Sequence, residues 1–351
     1  MIRAAFAVPG DLDTPTGGYA YDKRIITELG RLGWQIDVID LGSSFPNPDA
    51  AARELALAKL LAVPVSCPIV IDGLAFGVMA AEARQLRERN PLVALVHHPL
   101  ALESGLDAAT AQAMRESERD ALGCVRAVVV TSEPTAEIVA REYAVPSDHI
   151  TVVRPGVDRV AAAARRTASG DVVNLLSVGS ITPRKGYDVL IGALADLKVL
   201  PWHLTIAGDT TRNATAFAQL KADVSRFGLL AQVSIVGAVT GARLADLYAA
   251  ADVFVLASPF EGYGMVFGEA IAHELPVVAT AVGAAAEVVP VDTGILVAPG
   301  DRDALRDALR RVIESADVRV RLAEGARQAS LHLPEWRQSA IAFSQVLERL
   351  T

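Results

Sequence analysis

The chain has 351 residues and a formal net charge of −8, long enough for two cores and too acidic overall for a nucleic-acid-binding surface. Its two cysteines, Cys67 and Cys124, lie far apart with no Cys-x-x-Cys or Cys/His cluster, so neither a disulfide framework nor a zinc site is suggested. No apolar run reaches the roughly 20 residues of a membrane helix, and the opening apolar run is stopped by Pro9 and Gly10, too early for a signal peptide, so a cytoplasmic setting is expected.

From the start, short apolar runs alternate with amphipathic stretches, the pattern of a doubly wound α/β sheet. Strands are expected at residues 3–8, 35–40, 69–72, 93–97 and 125–131, and helices at 19–32, 50–62, 78–88, 108–122 and 133–143. Between the first strand and first helix lies Gly17-Gly18, which reads either as an ordinary turn or as a loop that brings backbone close to a phosphate. Upstream of it, Asp11-Leu-Asp13 has the form of an Asp-x-Asp metal motif, a pattern of three residues that is easily matched by accident. His97 and His98 close the strand at 93–97, at the end where sheets of this kind hold ligands. Arg84, Arg87 and Arg89 sit near Phe76, Val78 and Met79 and offer a peripheral membrane contact, although Glu82 and Glu88 dilute the charge and favour a solvated face.

Residues 152–158 read as a strand entering a turn, and 161–170 as a linker. A second α/β series begins at Val172, with strands at 173–178, 203–207, 233–236, 253–257 and 277–280. Its helices are expected at 187–196, 216–227, 244–250 and 302–315, with another following the turn at Glu261. An amphipathic helix at 335–350 ends the chain and is a candidate to cross back to the first domain. The expected domains are therefore 1–160, with 335–351 returning to it, and 161–334.

The most informative segment is Glu261-Gly-Tyr-Gly-Met-Val-Phe-Gly-Glu269. A strand, a glycine turn and a helix in succession present unpaired N–H groups and the positive end of a helix dipole, a site suited to a diphosphate. Two acids beside it suggest a nucleotide-sugar. Acids near a helix start can also do no more than offset the dipole, which suits Glu269 better than Glu261, since Gly262 and Gly264 keep Glu261 in the turn. Arg184 and Lys185, before Gly186, stand where a helix dipole disfavours cations, so their placement points to an anion. Breaking a sugar–diphosphate bond leaves charge on phosphate, and converging cations and N–H groups would stabilise it.

In order, the second half shows Ser177-Val-Gly-Ser-Ile-Thr-Pro-Arg-Lys-Gly186, Ile206-Ala-Gly-Asp209, Leu247-Tyr-Ala-Ala-Ala-Asp-Val-Phe-Val255, Glu261-x7-Glu269, Leu275-Pro-Val-Val-Ala-Thr280, Gly283 and Glu287-Val-Val289. This ordered set resembles the retaining glycosyltransferases of the GT-B fold, in pattern those of family 4, and covers most of residues 172–332. The resemblance implies an α/β, GT-B architecture: two Rossmann-like domains facing an interdomain cleft. It implies that Arg184 and Lys185 bind the donor diphosphate, that Glu261 faces the donor sugar and that Glu269 bonds the ribose hydroxyls. His97, with His98 as fallback, would stand beside the sugar and acceptor. Gly17, Gly18, Ser180, Gly208, Asp209, Ala238, Gly262, Tyr263, Gly264, Met265 and Val266 would complete the donor site. Ser180 departs from the arginine common at its place and supplies no charge, so phosphate binding would lean on Arg184 and Lys185.

The expected activity is hexosyl transfer from a nucleoside diphosphate sugar, with UDP the first choice of nucleotide, to an unidentified lipid, saccharide or small-metabolite acceptor. The expected route is front-face and metal-independent, with no resident cofactor. Two other readings stay open: a GT-B nucleotide-sugar epimerase, and a non-catalytic nucleotide-sugar-binding protein. A phosphorylase lacks a defensible lysine motif for pyridoxal phosphate, and an oxidoreductase lacks Gly-x-Gly-x-x-Gly after the first strand.

Overall fold

The computed structural model describes residues 2–103, 105–160 and 172–351. They form two units: Met1–Gly156 with Pro334–Thr351, and Val157–Leu333. The expected linker at 161–170 lies outside the described residues.

Unit 1 begins with β1 (Ile2–Val8), α1 (Gly17–Arg31), β2 (Trp34–Asp40) and α2 (Ala50–Leu61). Next come β3 (Ile69–Asp72), α3 (Gly73–Phe76), α4 (Ala80–Leu86), β4 (Leu92–Val96) and α5 (Ala108–Leu122). The series ends with β5 (Ala127–Val130), α6 (Glu133–Tyr143) and β6 (Ile150–Val152). All neighbouring strands are parallel, in the order β2-β1-β3-β4-β5-β6. Every residue of β3 and β4 is buried, which is why these strands are continuous apolar runs rather than alternating ones. Successive strands leave β1 first toward β2 and then toward β3, so a topological switch point falls between β1 and β3.

Unit 2 begins with β7 (Val173–Val178), α7 (Tyr187–Ala195), β8 (Trp202–Ala207), α8 (Ala214–Arg226) and β9 (Val233–Gly237). It continues with α9 (Gly241–Ala250), β10 (Val253–Leu256), α10 (Met265–Ala272), β11 (Val277–Thr280) and α11 (Ala285–Val288). The last elements are β12 (Gly294–Val297), α12 (Arg302–Glu314) and α13 (Ala316–Ser330). Its parallel sheet has the order β12-β11-β10-β7-β8-β9, and the switch point lies between β7 and β10. Apolar clusters cover both faces of this sheet, one centred on Leu190, Leu204 and Val255, the other on Phe254, Phe267 and Ala279.

The final helix, α14 (Trp336–Glu348), belongs to unit 1 and packs on α1. Its Phe343 ring lies 6.2 Å from that of Phe6, and Trp34 Nε1 donates to Ser344 Oγ at 2.9 Å.

Several sequence expectations need correction. Gly17 and Gly18 are the first residues of α1 rather than a loop before it, because the Thr16 side chain caps the helix by accepting from Tyr19 N. The helix expected at 78–88 is the shorter α4, and an unexpected one-turn helix, α3, precedes it, because the buried Asp72 carboxylate accepts from Leu74 N and starts a turn immediately after β3. Strand β12 was not expected, being four residues long and opening on a glycine at the sheet edge. Helix α13 was also unforeseen. Ser315 ends α12 and its side chain caps α13 by accepting from Val318 N, so two helices follow without a glycine or proline between them.

Candidate active site

In unit 2 the groups singled out from the sequence gather at the C-terminal ends of β7 and β10, on either side of the switch point. After β7 the chain makes a tight turn at Pro183–Lys185, closed by Gly186 at φ +62°. A Cβ on Gly186 would sit 2.1 Å from the Ala257 carbonyl oxygen, so only glycine lets this turn lie against the end of β10. The turn delivers Lys185 Nζ to Glu261 Oε1 at 2.6 Å, while an Arg184 guanidinium nitrogen lies 3.5 Å from Glu261 Oε2.

Glu261 is only 4% exposed, and Ser258 Oγ donates to it at 2.7 Å. Burial works against a charged carboxylate there, but Lys185, Arg184 and the donated hydrogen bonds prevail and hold Glu261 below the usual carboxylate range. Ser258 is fixed in turn, since Thr280 Oγ1 donates to its carbonyl. Beneath the turn Gly283 has φ +50°, and a Cβ there would lie 1.6 Å from the Glu261 carbonyl oxygen.

Gly262, Tyr263 and Gly264 lead from Glu261 into α10. Gly264, at φ +76°, is the residue before the helix, and Met265 and Val266 form its first turn with N–H groups that have no helical acceptor. Glu269 follows one turn later and accepts from Tyr248 Oη at 2.7 Å. Burial lifts Glu269 above its ordinary value, the Tyr248 bond offsets this in part, and Asp158 adds to it.

The remaining unit 2 residues sit on adjacent strand ends. Gly208 follows β8, and its backbone runs so near Gly179 that a Cβ would be 1.8 Å from the Gly179 carbonyl oxygen. Asp209 accepts from Thr211 N and Oγ1 at 2.7 Å each, and its carbonyl accepts from Ile181 N at 2.8 Å, tying its loop to the segment that carries Ser180. Ala238 is exposed just beyond β9.

Unit 1 has its own convergence of polar groups at its switch point. His97 follows β4, and its Nε2 lies 3.1 Å from Asp22 Oδ1 on α1 and 3.3 Å from Asp72 Oδ2 at the end of β3. Asp22 and Asp72 are 0% and 3% exposed. Gly18 stands over the imidazole, where a Cβ would be 3.3 Å from His97 Cδ2, so the helix start and the ring are in contact. His98 turns to a different partner, with its Nε2 3.3 Å from Glu103 Oε2. Asp13 is paired with Lys23 and its N–H donates to Asp11, so the Asp-x-Asp segment forms its own turn. Arg84 pairs with Asp120 and Arg87 with Glu88.

Four participants escaped the sequence reading: Asp22, Asp72, Ser258 and Tyr248. Two of them carried a signal. Asp22 falls on the buried stripe of α1 with Ile25 and Leu29, where an acid is out of place without a partner, and Asp72 ends a wholly buried strand at its ligand-facing end.

Two family matches divide the chain. Residues 163–329 match the family described as glycosyl transferases group 1, and residues 69–160 match glycosyltransferase family 4. Together the two matches span most of the chain, which resembles the GT-B glycosyltransferases of family 4.

Among curated relatives, a D-inositol 3-phosphate glycosyltransferase of Xylanimonas cellulosilytica is 34% identical over 249 residues, covering 67% of this chain and 59% of that protein. A mannosylfructose-phosphate synthase of Agrobacterium fabrum is 32% identical over 170 residues, covering 44% and 37%. The alignments thus span about half the length of the curated relatives matched. A solved sucrose-phosphate synthase from Thermosynechococcus elongatus has the same fold at a TM-score of 0.83 and 21% identity, covering 99% of both chains. Anabaena HepE in complex with UDP-glucose superposes at a TM-score of 0.77 and 19% identity, covering 100% of this chain and 99% of HepE.

No described helix of the chain is long and apolar enough to cross a membrane. Among its described residues, Asp22, Asp72 and His97 are the one group whose donor atoms lie within 4.8 Å of one another, as a divalent cation would require.

Proposed function

We propose that the chain is a retaining hexosyltransferase that takes its sugar from a nucleoside diphosphate sugar, with UDP as the nucleotide, and needs no metal. The observation that carries this reading is the meeting of Lys185 and Arg184 on Glu261, in the turn that leads into the first turn of α10. Cations and helix N–H groups at one spot suit a diphosphate that gains charge as it leaves. Anabaena HepE, solved with UDP and with UDP-glucose, supports the choice of nucleotide.

In this reading the bond from the anomeric carbon to the diphosphate oxygen breaks while a bond to the acceptor hydroxyl forms on the same face. The acceptor proton passes to the departing phosphate. Lys185 and Arg184 stabilise the charge on that phosphate, Glu261 keeps both cations in register beside the donor sugar, and Glu269 takes the ribose hydroxyls. Because the ammonium and guanidinium supply the positive charge, a divalent ion is not required. Unit 1 carries the acceptor-side residues, with His97 among them. The acceptor is a hydroxyl compound, whether lipid, saccharide or small metabolite. The relatives named for inositol phosphate and mannosylfructose phosphate favour a phosphorylated polyol or sugar.

The test is a panel of UDP-, GDP- and ADP-hexoses assayed for nucleotide release, with and without candidate acceptors and EDTA. Release from a UDP-hexose that persists in EDTA is expected. Tight donor binding without turnover under any condition would overturn the enzyme reading, and complete loss in EDTA would overturn metal independence.

A further inference from the structure

Histidine has two ring nitrogens, and what holds one of them decides what the other can do. In unit 1 one edge of the His97 imidazole is fully committed. Its Nε2 lies 3.1 Å from Asp22 Oδ1 and 3.3 Å from Asp72 Oδ2, on two elements separated by 50 positions in the chain. The ring is also fixed in rotation. Gly18 packs on the Cδ2–Nε2 edge, and Tyr21 meets the ring edge-on at a centroid distance of 5.3 Å and an angle of 82°. Tyr21 is anchored by donating its hydroxyl to Val153 O at 2.9 Å, and Thr131 Oγ1 donates to the His97 carbonyl at 3.4 Å.

Two carboxylates this deeply buried are costly, and a protein interior tolerates them when they have a shared cationic or hydrogen-bonding partner. His97 is that partner, yet Asp22 Oδ2 has no hydrogen bond among the described residues, so the arrangement is not optimised for stability alone.

We propose that Asp22 and Asp72 are positioning residues whose carboxylates clamp His97 Nε2 as an N–H, so that Nδ1 is the atom His97 offers to an oxygen of the ligand. Burial by itself would lower the proton affinity of the ring, but the two carboxylates outweigh it and raise His97 to about 10. Burial and Asp72 push Asp22 upward, and His97 pulls it back. At neutral pH the ring is therefore an imidazolium, and Nδ1–H is a charged donor. Such a donor suits a sugar hydroxyl or phosphate oxygen and cannot act as a general base. The groups facing the ring are Asp22 and Tyr21 from α1 and Asp72 from β3. His98, its chain neighbour, faces Glu103.

The kinetic arm of the test rests on the glycosyl-transfer reading, and the spectroscopic arm does not. In the unmodified protein, long-range 1H–15N spectra of the His97 ring should show both nitrogens protonated from about pH 6 to pH 8, without the titration near 6.5 of an ordinary histidine. In Asp22→Asn and in the Asp22→Asn, Asp72→Asn double variant, the His97 signal should begin to titrate within that window. In the kinetic arm, kcat of the double variant should acquire a new falling limb toward alkaline pH of at least about tenfold, with donor KM changed far less.

A His97 that titrates near 6.5 in the unmodified protein overturns the clamp. So does a uniform loss of activity at all pH values in both variants with the His97 signal unmoved. Micromolar binding of Mn2+ or Zn2+ that displaces the Nε2 proton would also overturn it. If no donor turns over in the unmodified protein, the transfer reading fails while the spectra still decide the clamp.

Discussion

Glu261 concentrates more consequence in one side chain than any other residue of unit 2. Its carboxylate is buried and meets Lys185, Arg184 and Ser258, so Glu261→Gln would leave the Lys185 ammonium, itself 9% exposed, without its counter-charge. Removing one partner of a buried ion pair costs about 3–5 kcal/mol, a loss readable as an earlier urea transition in unit 2. Nucleotide release should fall at the same time, because the two cations lose their common anchor. A second expectation concerns acid. The folded carboxyl is held below its unfolded value, so its stabilisation is complete above about pH 4.3 and disappears as pH falls through the folded value. Melting curves from pH 7 to 3 should therefore show a steeper acid-side fall in the unmodified protein than in Glu261→Gln. Equal slopes would show that Glu261 does not set the acid limb. At this scale the sequence revealed Glu261 and Lys185 because each sits beside a glycine turn, a local signal. Asp22 and Asp72 each had a signal of its own, but nothing local joined them, since only the parallel pairing of β1 with β3 brings α1 and the end of β3 to one place.

At the scale of elements, the glycines that end β7 and β8 govern how closely neighbouring loops approach. Gly208→Ala would drive a methyl group to 1.8 Å from the Gly179 carbonyl, and backbone cannot yield there as a flexible side chain would. Overpacking of this kind costs typically about 1–3 kcal/mol. The strain would shift the segment carrying Ser180, Arg184 and Lys185, so donor KM should rise along with the loss in Tm. An unchanged Tm would mean that the two loops separate freely. Legibility at this scale followed burial. Strands β3, β7 and β11 were read with their observed bounds because runs such as Ile69-Val-Ile-Asp72 and Val277-Val-Ala-Thr280 are apolar on both faces and bounded by turns. Strand β12 escaped because an edge strand has only one neighbour to satisfy and can be short, and Gly294 at its start reads as a loop residue. Gly294 is nonetheless required, since a Cβ there would lie 2.4 Å from the Val277 carbonyl oxygen.

At the scale of the whole molecule, unit 1 depends on residues from both ends of the chain. The Phe343 ring is wholly buried against Phe6, Trp336 meets Tyr21 at a centroid distance of 5.8 Å, and Ser339 Oγ donates to Arg154 O at 2.7 Å. Phe343→Ala should cost about 3–5 kcal/mol, as aromatic truncation in a packed core does. The loss should appear in hydrogen exchange of β1 and α1 amides while the amides of β7 and β10 keep their protection. Equal loss in both sheets would mean that the two units unfold as one. Tyr21 links this packing to His97, so the same variant should also broaden the His97 ring signals. The alternating strand and helix pattern made two α/β units legible from the sequence and offered the last helix as a candidate to cross back, whereas its docking partner, α1, rests on packing between distant apolar faces and left no local signal.

That tether also sets an order of events during synthesis. All of Val157–Leu333 is translated before α14 exists, so unit 2 can finish its interior while unit 1 still lacks Trp336 and Phe343. A nascent chain halted near residue 333 would carry a finished C-terminal sheet and an N-terminal one with an uncovered apolar flank. The half with Gly18, Asp22 and His97, made first, would therefore be the last to mature.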